Sequence, residues 1–347
     1  MGPCSIGTVI VYPFGVILAA AAVPALVWTG IRMRKAGLKK ETLSWFALLA
    51  VPLAFLTARL SYCLLVMDRI LGDQDWGMIF RVREGGFLLW GALAGGLLAA
   101  WITGRITRQS AGAVADAAVL PVCLLIVLGR LTVGLLFQDQ GIGLDLESWF
   151  DPEETDAAAR YSLLALQNFA FFERFPFAVQ NYYEEWCWAI FVPESIWAGV
   201  IMLLVSRVQS RPGGRTALFL ILYSCGQIVL EAMLRGDVIH LPWLGFVRAN
   251  QVLCALAVLI LWGVCLRGIP KGQRKRPGGP AMIQVLLAAG IVVAMEFAAF
   301  EKKISALEIV PADVCHLIMA LACIWMALAL RPLWRKKFGP GEPETQA

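Results

Sequence analysis

Residues 124–137 read LLIVLGRLTVGLLF and residues 52–66 read PLAFLTARLSYCLLV, each an apolar run broken at its middle by one arginine, Arg130 and Arg59. Such runs decide the fold. A helix needs about 20 mostly apolar residues to cross ~30 Å of hydrocarbon, and runs of that length recur on both sides of these two. They predict nine spans, near 9–31, 45–66, 87–104, 117–137, 189–206, 216–234, 247–266, 281–300 and 312–330. The 347 residues are 59% hydrophobic and 16% charged, against roughly a quarter charged in soluble domains. The expected class is therefore all-α, a polytopic transmembrane helix bundle.

The loops set an orientation. Arg32, Arg34, Lys35, Lys39 and Lys40 follow the first span, Arg105 and Arg108 the third, and Arg207, Arg211 and Arg215 the fifth. Lys271, Arg274, Lys275 and Arg276 follow the seventh, and Arg335, Lys336 and Lys337 the ninth. Basic loops stay in the cytoplasm, so the N-terminus is expected outside and the C-terminus inside. The net charge of +5 is then a matter of topology, and no nucleic-acid partner is expected. No basic segment precedes the first apolar run, so that run is expected to remain as a helix and not to be cleaved.

Between the spans, residues 1–137 hold helices one to four, and 138–188 form an expected extracytoplasmic cap rich in acids and aromatics. Residues 189–267 hold helices five to seven, 268–280 a basic, Pro/Gly-rich linker, 281–330 two further helices, and 331–347 a cytoplasmic tail. The nine cysteines lack CxxC spacing; seven lie in apolar runs, while Cys4 and Cys187 lie outside them with pairing left open. His240 and His316 are the only histidines, so neither a metal site nor a cofactor is expected.

An ionisable side chain in a membrane helix costs at least ~2.5–3.5 kcal/mol, so it faces protein or water and has a use. Arg59, Arg130 and Glu231 qualify, whereas Glu296 is expected near the interface without a role. The planar guanidinium matches a carboxylate or a phosphate, which leaves two readings for each arginine: an anionic lipid headgroup, or an ion pair such as one with Glu231. Gly85, Gly86, Gly91, Gly95 and Gly96 read as small residues that let helices approach. Tyr12, Tyr62 and Tyr223 fit interfacial anchors as well as site residues.

Taken in order, these pieces resemble the prolipoprotein diacylglyceryl transferase family over residues 9–266. The likeness is carried by Tyr12-Pro13-Phe14-Gly15, Ala58-Arg59-Leu60-Ser61-Tyr62, the stretch from Gly85-Gly86 to Gly95-Gly96, Asp116, Gly129-Arg130 and Pro193-Glu194. Tyr223, Gly226, Glu231 and Arg235 are similar to the family's Tyr-x-x-Gly-Arg-x-x-x-Glu-x-x-Arg helix, and Gln251 opens the seventh span. The resemblance implies a seven-helix core, here with two extra C-terminal helices. It also implies transfer of diacylglycerol from phosphatidylglycerol, or another anionic phospholipid, to the cysteine thiol of a prelipoprotein lipobox segment, in the bacterial plasma membrane.

By the same resemblance the catalytic group is Arg130, Glu231 and Tyr223, and headgroup contacts fall to Arg59, Arg130, Arg235, Tyr12 and Glu194. Three positions depart from the family. Its His-Gly-Gly is Trp90-Gly91-Ala92, the asparagine of its Gly-Arg-x-Gly-Asn is Val133, and the arginine of its sixth-helix motif is Gln227. The thiol's proton acceptor is then not obvious, with Glu231 one candidate. Those changes support an alternative, a catalytically altered or inactive paralogue that still binds anionic lipid or lipoprotein. Transport would require internal repeats or broken helices, and neither is visible.

Overall fold

A computed structural model describes residues 4–6, 9–11, 13–81, 85–136, 140–147, 170–235, 239–241, 244–267, 271–298 and 310–340. Tyr12 and the cap residues Asp139, Trp149, Phe150, Asp151, Glu153, Glu154 and Asp156 lie outside the described residues. The long helices are α1 (Pro13–Lys35), α2 (Lys40–Leu65), α3 (Leu89–Thr107), α4 (Ala111–Leu136), α5 (Phe191–Arg207), α6 (Gly214–Met233), α7 (Ala249–Arg267), α8 (Lys271–Glu296) and α9 (Ala312–Phe338). Every expected span coincides with one of them. Among the described residues eight are long and apolar enough to cross a membrane; α5, at 17 residues, is slightly shorter than that. The outward faces carry Val23, Leu48, Leu64, Leu203, Ile260 and Leu321 exposed, which calls for an apolar solvent around the bundle.

The helices run past their apolar stretches. α4 begins at Ala111 and α9 ends at Phe338, because a helix continues through the interface where polar side chains reach water. The same effect corrects the expected linker: α8 starts at Lys271, so 271–280 belong to a helix. Hydropathy registers only the apolar part of that helix, and the Pro/Gly content of its first turns disguised the rest.

Close helix approach occurs where the glycines predict it. A Cβ at Gly91 would lie 2.5 Å from the Thr57 carbonyl and 2.7 Å from the Ala58 Cα; at Gly95 it would lie 2.5 Å from the Leu53 carbonyl and 2.7 Å from the Ala54 Cα. The small faces of α2 and α3 thus touch backbone to backbone.

Asp116 explains how α6 starts. Its Oδ2 accepts from the Gly213 N–H at 2.8 Å, and its Oδ1 accepts from the Thr216 N–H at 2.8 Å and the Thr216 hydroxyl at 2.7 Å. A carboxylate on α4 therefore caps the N-terminus of α6, satisfying donors that a helix start leaves open. Arg32 of α1 donates to the Ala117 and Asp116 carbonyls at 3.0 and 3.2 Å and ties a third helix in. Replacing Asp116 with alanine is expected to cost about 1–2 kcal/mol, read as a lower thermal midpoint in detergent with Asp116→Asn intermediate.

The last two helices are built into the bundle. One buried cluster runs through α6, α7, α8 and α9, from Ile221, Ile228 and Cys254 to Val285, Ala288, Met319 and Leu333. At the end with the basic loops, the Trp334 indole N–H donates to the Gly214 carbonyl at 2.9 Å and the Arg211 N–H to the Phe338 carbonyl at 2.8 Å.

At the other end sit three antiparallel two-stranded pairs: β1 (Cys4–Ile6) with β2 (Val9–Val11), β3 (Ala178–Gln180) with β4 (Trp186–Trp188), and β5 (His240–Leu241) with β6 (Leu244–Arg248). The β3–β4 hairpin is the described part of the cap. It packs Ala178 and Phe172 on Leu146, with Asp145 bridged to Cys187.

Candidate functional site

A line of polar side chains crosses the bundle from α4 to α7. Tyr223, Gln227 and Glu231 stand four apart on α6 and so share one face. Arg130 of α4 and Glu194 of α5 meet on that face, with Arg130 Nη2 3.3 Å from Glu194 Oε1. Gln227 Nε2 donates to Glu194 Oε1 at 2.8 Å and to Glu231 Oε2 at 3.4 Å, and Asn250 Nδ2 of α7 donates to Glu231 Oε2 at 2.7 Å. Gln227 thus bridges two carboxylates with its amide, where the resemblance has a guanidinium. A neutral donor there leaves Arg130 as the cation facing Glu194.

Exposure is unequal within that ion pair. The side chain of Arg130 is 25% accessible and that of Glu194 1%. The Arg130 side chain is therefore the more accessible half of the pair, and Glu194 holds its guanidinium from the buried side. Glu194 Oε2 has no hydrogen-bond partner among the described residues, so Arg130 and Gln227 carry the whole stabilisation of a carboxylate that is costly to bury. The Tyr223 hydroxyl lies beside Arg130.

Trp90, which by the resemblance takes the place of an imidazole, has its ring 5.8 Å from that of Tyr223 and steeply tilted to it. Phe219 stacks on Tyr223 at 5.6 Å. Trp90, Tyr223 and Phe219 thus form an aromatic cluster beside Arg130. Val133 is half-buried, and the neighbouring Thr132 hydroxyl is turned to its own helix at the Leu128 carbonyl, 2.7 Å away.

The remaining sequence candidates fall elsewhere. Arg59 is buried on α2 and donates to the carbonyls of Met78, Ile79, Arg81, Gly85 and Gly86. These belong to the segment after α2, so the guanidinium organises a loop, with the Tyr62 and Phe87 rings 5.6 and 5.8 Å away. Gly86 has φ +75°, and a Cβ there would strike Arg59 and Tyr62. Arg235 lies two residues beyond α6, half-buried, its N–H bonded to the Ile142 carbonyl at 2.9 Å. It stands four residues after Glu231 where the family motif has three.

Sequence reasoning overlooked Asn250 and Arg248, although both closely precede Gln251, and it gave Glu296 no role. Arg248 is buried at the end of β6; its Nη1 donates to the Glu231 carbonyl and, at 3.2 Å, to the Leu234 carbonyl. An arginine just before an apolar span looks like an interfacial anchor, which hid it.

Comparison with known proteins adds to this geometry. The sequence profile of the family described as prolipoprotein diacylglyceryl transferase matches residues 3–267. A Listeria innocua protein named phosphatidylglycerol–prolipoprotein diacylglyceryl transferase is 27% identical over 264 residues, spanning 75% of this chain and 87% of its own. Proteins of the same name from Halalkalibacterium halodurans and Frankia alni are 26% and 28% identical, spanning 74% and 68% of this chain and 83% and 58% of their own.

Proposed function

Because the chain belongs to the prolipoprotein diacylglyceryl transferase family, we propose that this multi-pass bacterial membrane protein transfers diacylglycerol from phosphatidylglycerol to the lipobox cysteine thiol of prelipoproteins. The observation that carries the reading is the Arg130–Glu194 pair, a partly accessible arginine side chain held on a buried carboxylate among four helices. In the reaction a carbon–sulfur bond forms as the carbon–oxygen bond to the phosphate breaks, and glycerol phosphate leaves with the electron pair. Negative charge gathers on the departing phosphate, and a guanidinium held in place beforehand stabilises it without proton transfer. Glu194 and Gln227 supply that preorganisation.

Arg130 and Arg235 receive the headgroup, with Tyr223 orienting Arg130; Tyr12 belongs to the same headgroup contacts by the family motif. Arg59 acts by holding residues 78–81 and 85–86, ahead of α3. The thiol gives up its proton to become the nucleophile. Glu231, held by Asn250 and Gln227, is the carboxylate available to accept it. The N-terminus lies outside and the C-terminus in the cytoplasm, which puts this line of residues near the outer leaflet.

The test supplies purified protein with phosphatidylglycerol vesicles and a lipobox peptide and follows the peptide by mass. A diacylglyceryl thioether adduct is expected. Retained phosphatidylglycerol binding without adduct identifies the divergent, lipid-binding paralogue that the substitutions Trp90, Val133 and Gln227 suggest.

A further inference from the structure

Glu296 lies at the end of α8, beyond the 3–267 that match the family. Its Oε1 is 3.6 Å from Arg248 Nε, and its Oε2 accepts from Gln251 Nε2 at 3.4 Å. Both partners turn back to the same place. Arg248 donates to the carbonyls of Glu231 and Leu234, and Gln251 Nε2 donates to the Ile228 carbonyl at 3.1 Å. Glu231 lies in the last turn of α6, Leu234 just beyond it and Ile228 one turn earlier, so the two side chains bracket the C-terminal end of that helix, where carbonyls run short of internal partners. One carboxylate on an added helix thus holds two side chains that together grip the C-terminal end of the helix bearing Gln227 and Glu231.

We propose that Glu296 is a positioning residue of the headgroup site, and that the additional helix pair is a working wall of that site in this chain. The carboxylate acts through Arg248 and Gln251 to fix the end of α6, and with it the direction in which Glu231 and the adjoining Arg235 present themselves. Burial makes the arrangement selective for charge. The Arg248 side chain is 7% accessible and that of Glu296 18%, so a neutral residue at 296 removes one of the two carboxylates, Glu296 and Glu231, that face a buried cation. α9 reinforces the same spot by placing buried His316 beside the Ala232 backbone.

The inference rests on the transfer reading for its kinetic consequence and is independent of it for its structural one. The experiment compares Glu296→Gln and Glu296→Asp with the parent full-length protein, in detergent and in phosphatidylglycerol vesicles, by hydrogen exchange and by transfer kinetics. For Glu296→Gln, amide exchange over 228–235 is expected to accelerate about tenfold while exchange over 214–220 at the other end of α6 is unchanged. The KM for phosphatidylglycerol is expected to rise about tenfold with kcat within about twofold, the range in which residues coupled to a site act. Glu296→Asp recovers most of both.

Uniformly faster exchange in all helices, with a matching fall in thermal midpoint, overturns the proposal in favour of general packing. Unchanged exchange over 228–235 overturns it as well. If the parent protein forms no thioether, the transfer reading fails, and the exchange pattern alone decides the role of Glu296.

Discussion

Replacing Arg130 with glutamine is expected to lower diacylglyceryl transfer by about 10²–10³-fold, the usual consequence of removing one preorganised charge-stabilising donor. The same change strands Glu194, whose side chain is 1% accessible, and an uncompensated buried carboxylate destabilises by about 3–5 kcal/mol. Activity and stability fall together in the single variant. The double variant Arg130→Leu with Glu194→Leu separates them, because apolar replacement of a whole buried pair is close to neutral. Its thermal midpoint is expected to return toward that of the parent protein while thioether formation stays lost. Transfer within about threefold of the parent in Arg130→Gln would remove Arg130 from the mechanism.

The second large effect concerns the α2–α3 contact. Alanine at Gly91 together with alanine at Gly95 puts two methyl groups against backbone atoms 2.5–2.7 Å away. Backbone cannot rotate aside as a side chain does, so the helices must separate, at about 1–3 kcal/mol for each site. Trp90 moves with α3 and loses its packing on Tyr223, so the site is disturbed as well. Gly96→Ala is the control: nothing lies within 4 Å of its Cβ, and alanine favours a helix. Thermal unfolding of the two variants should show a deep loss for the double replacement and none for the control.

Much of this fold is legible in the sequence because the bilayer imposes a length and a polarity on every span. Arg130 and Glu231 declare themselves by the cost of burying charge, and the glycines of α3 by their spacing. Pairing is less legible. Arg130 faces Glu194, which adjoins it only through the packing of α4 on α5, and no spacing in the chain announces that neighbour. Arg59 illustrates the same limit, since its five carbonyl partners depend on where residues 78–81 and 85–86 run. Glu296 resembles any acid at the end of a span until the return of α8 beside Arg248 gives it a partner. Hydropathy reports where a helix meets lipid and is silent on which of its faces meets another helix.

The bond from Trp334 to the Gly214 carbonyl joins residues 120 apart in the chain. α6, which carries the polar row, leaves the ribosome long before α9 exists to cover it. During that interval its buried side, including Ile221, Cys225 and Ile228, faces lipid or the insertion machinery. Maturation of the site is therefore a late event in biosynthesis, completed when the final helix docks and latches its tryptophan at the start of α6.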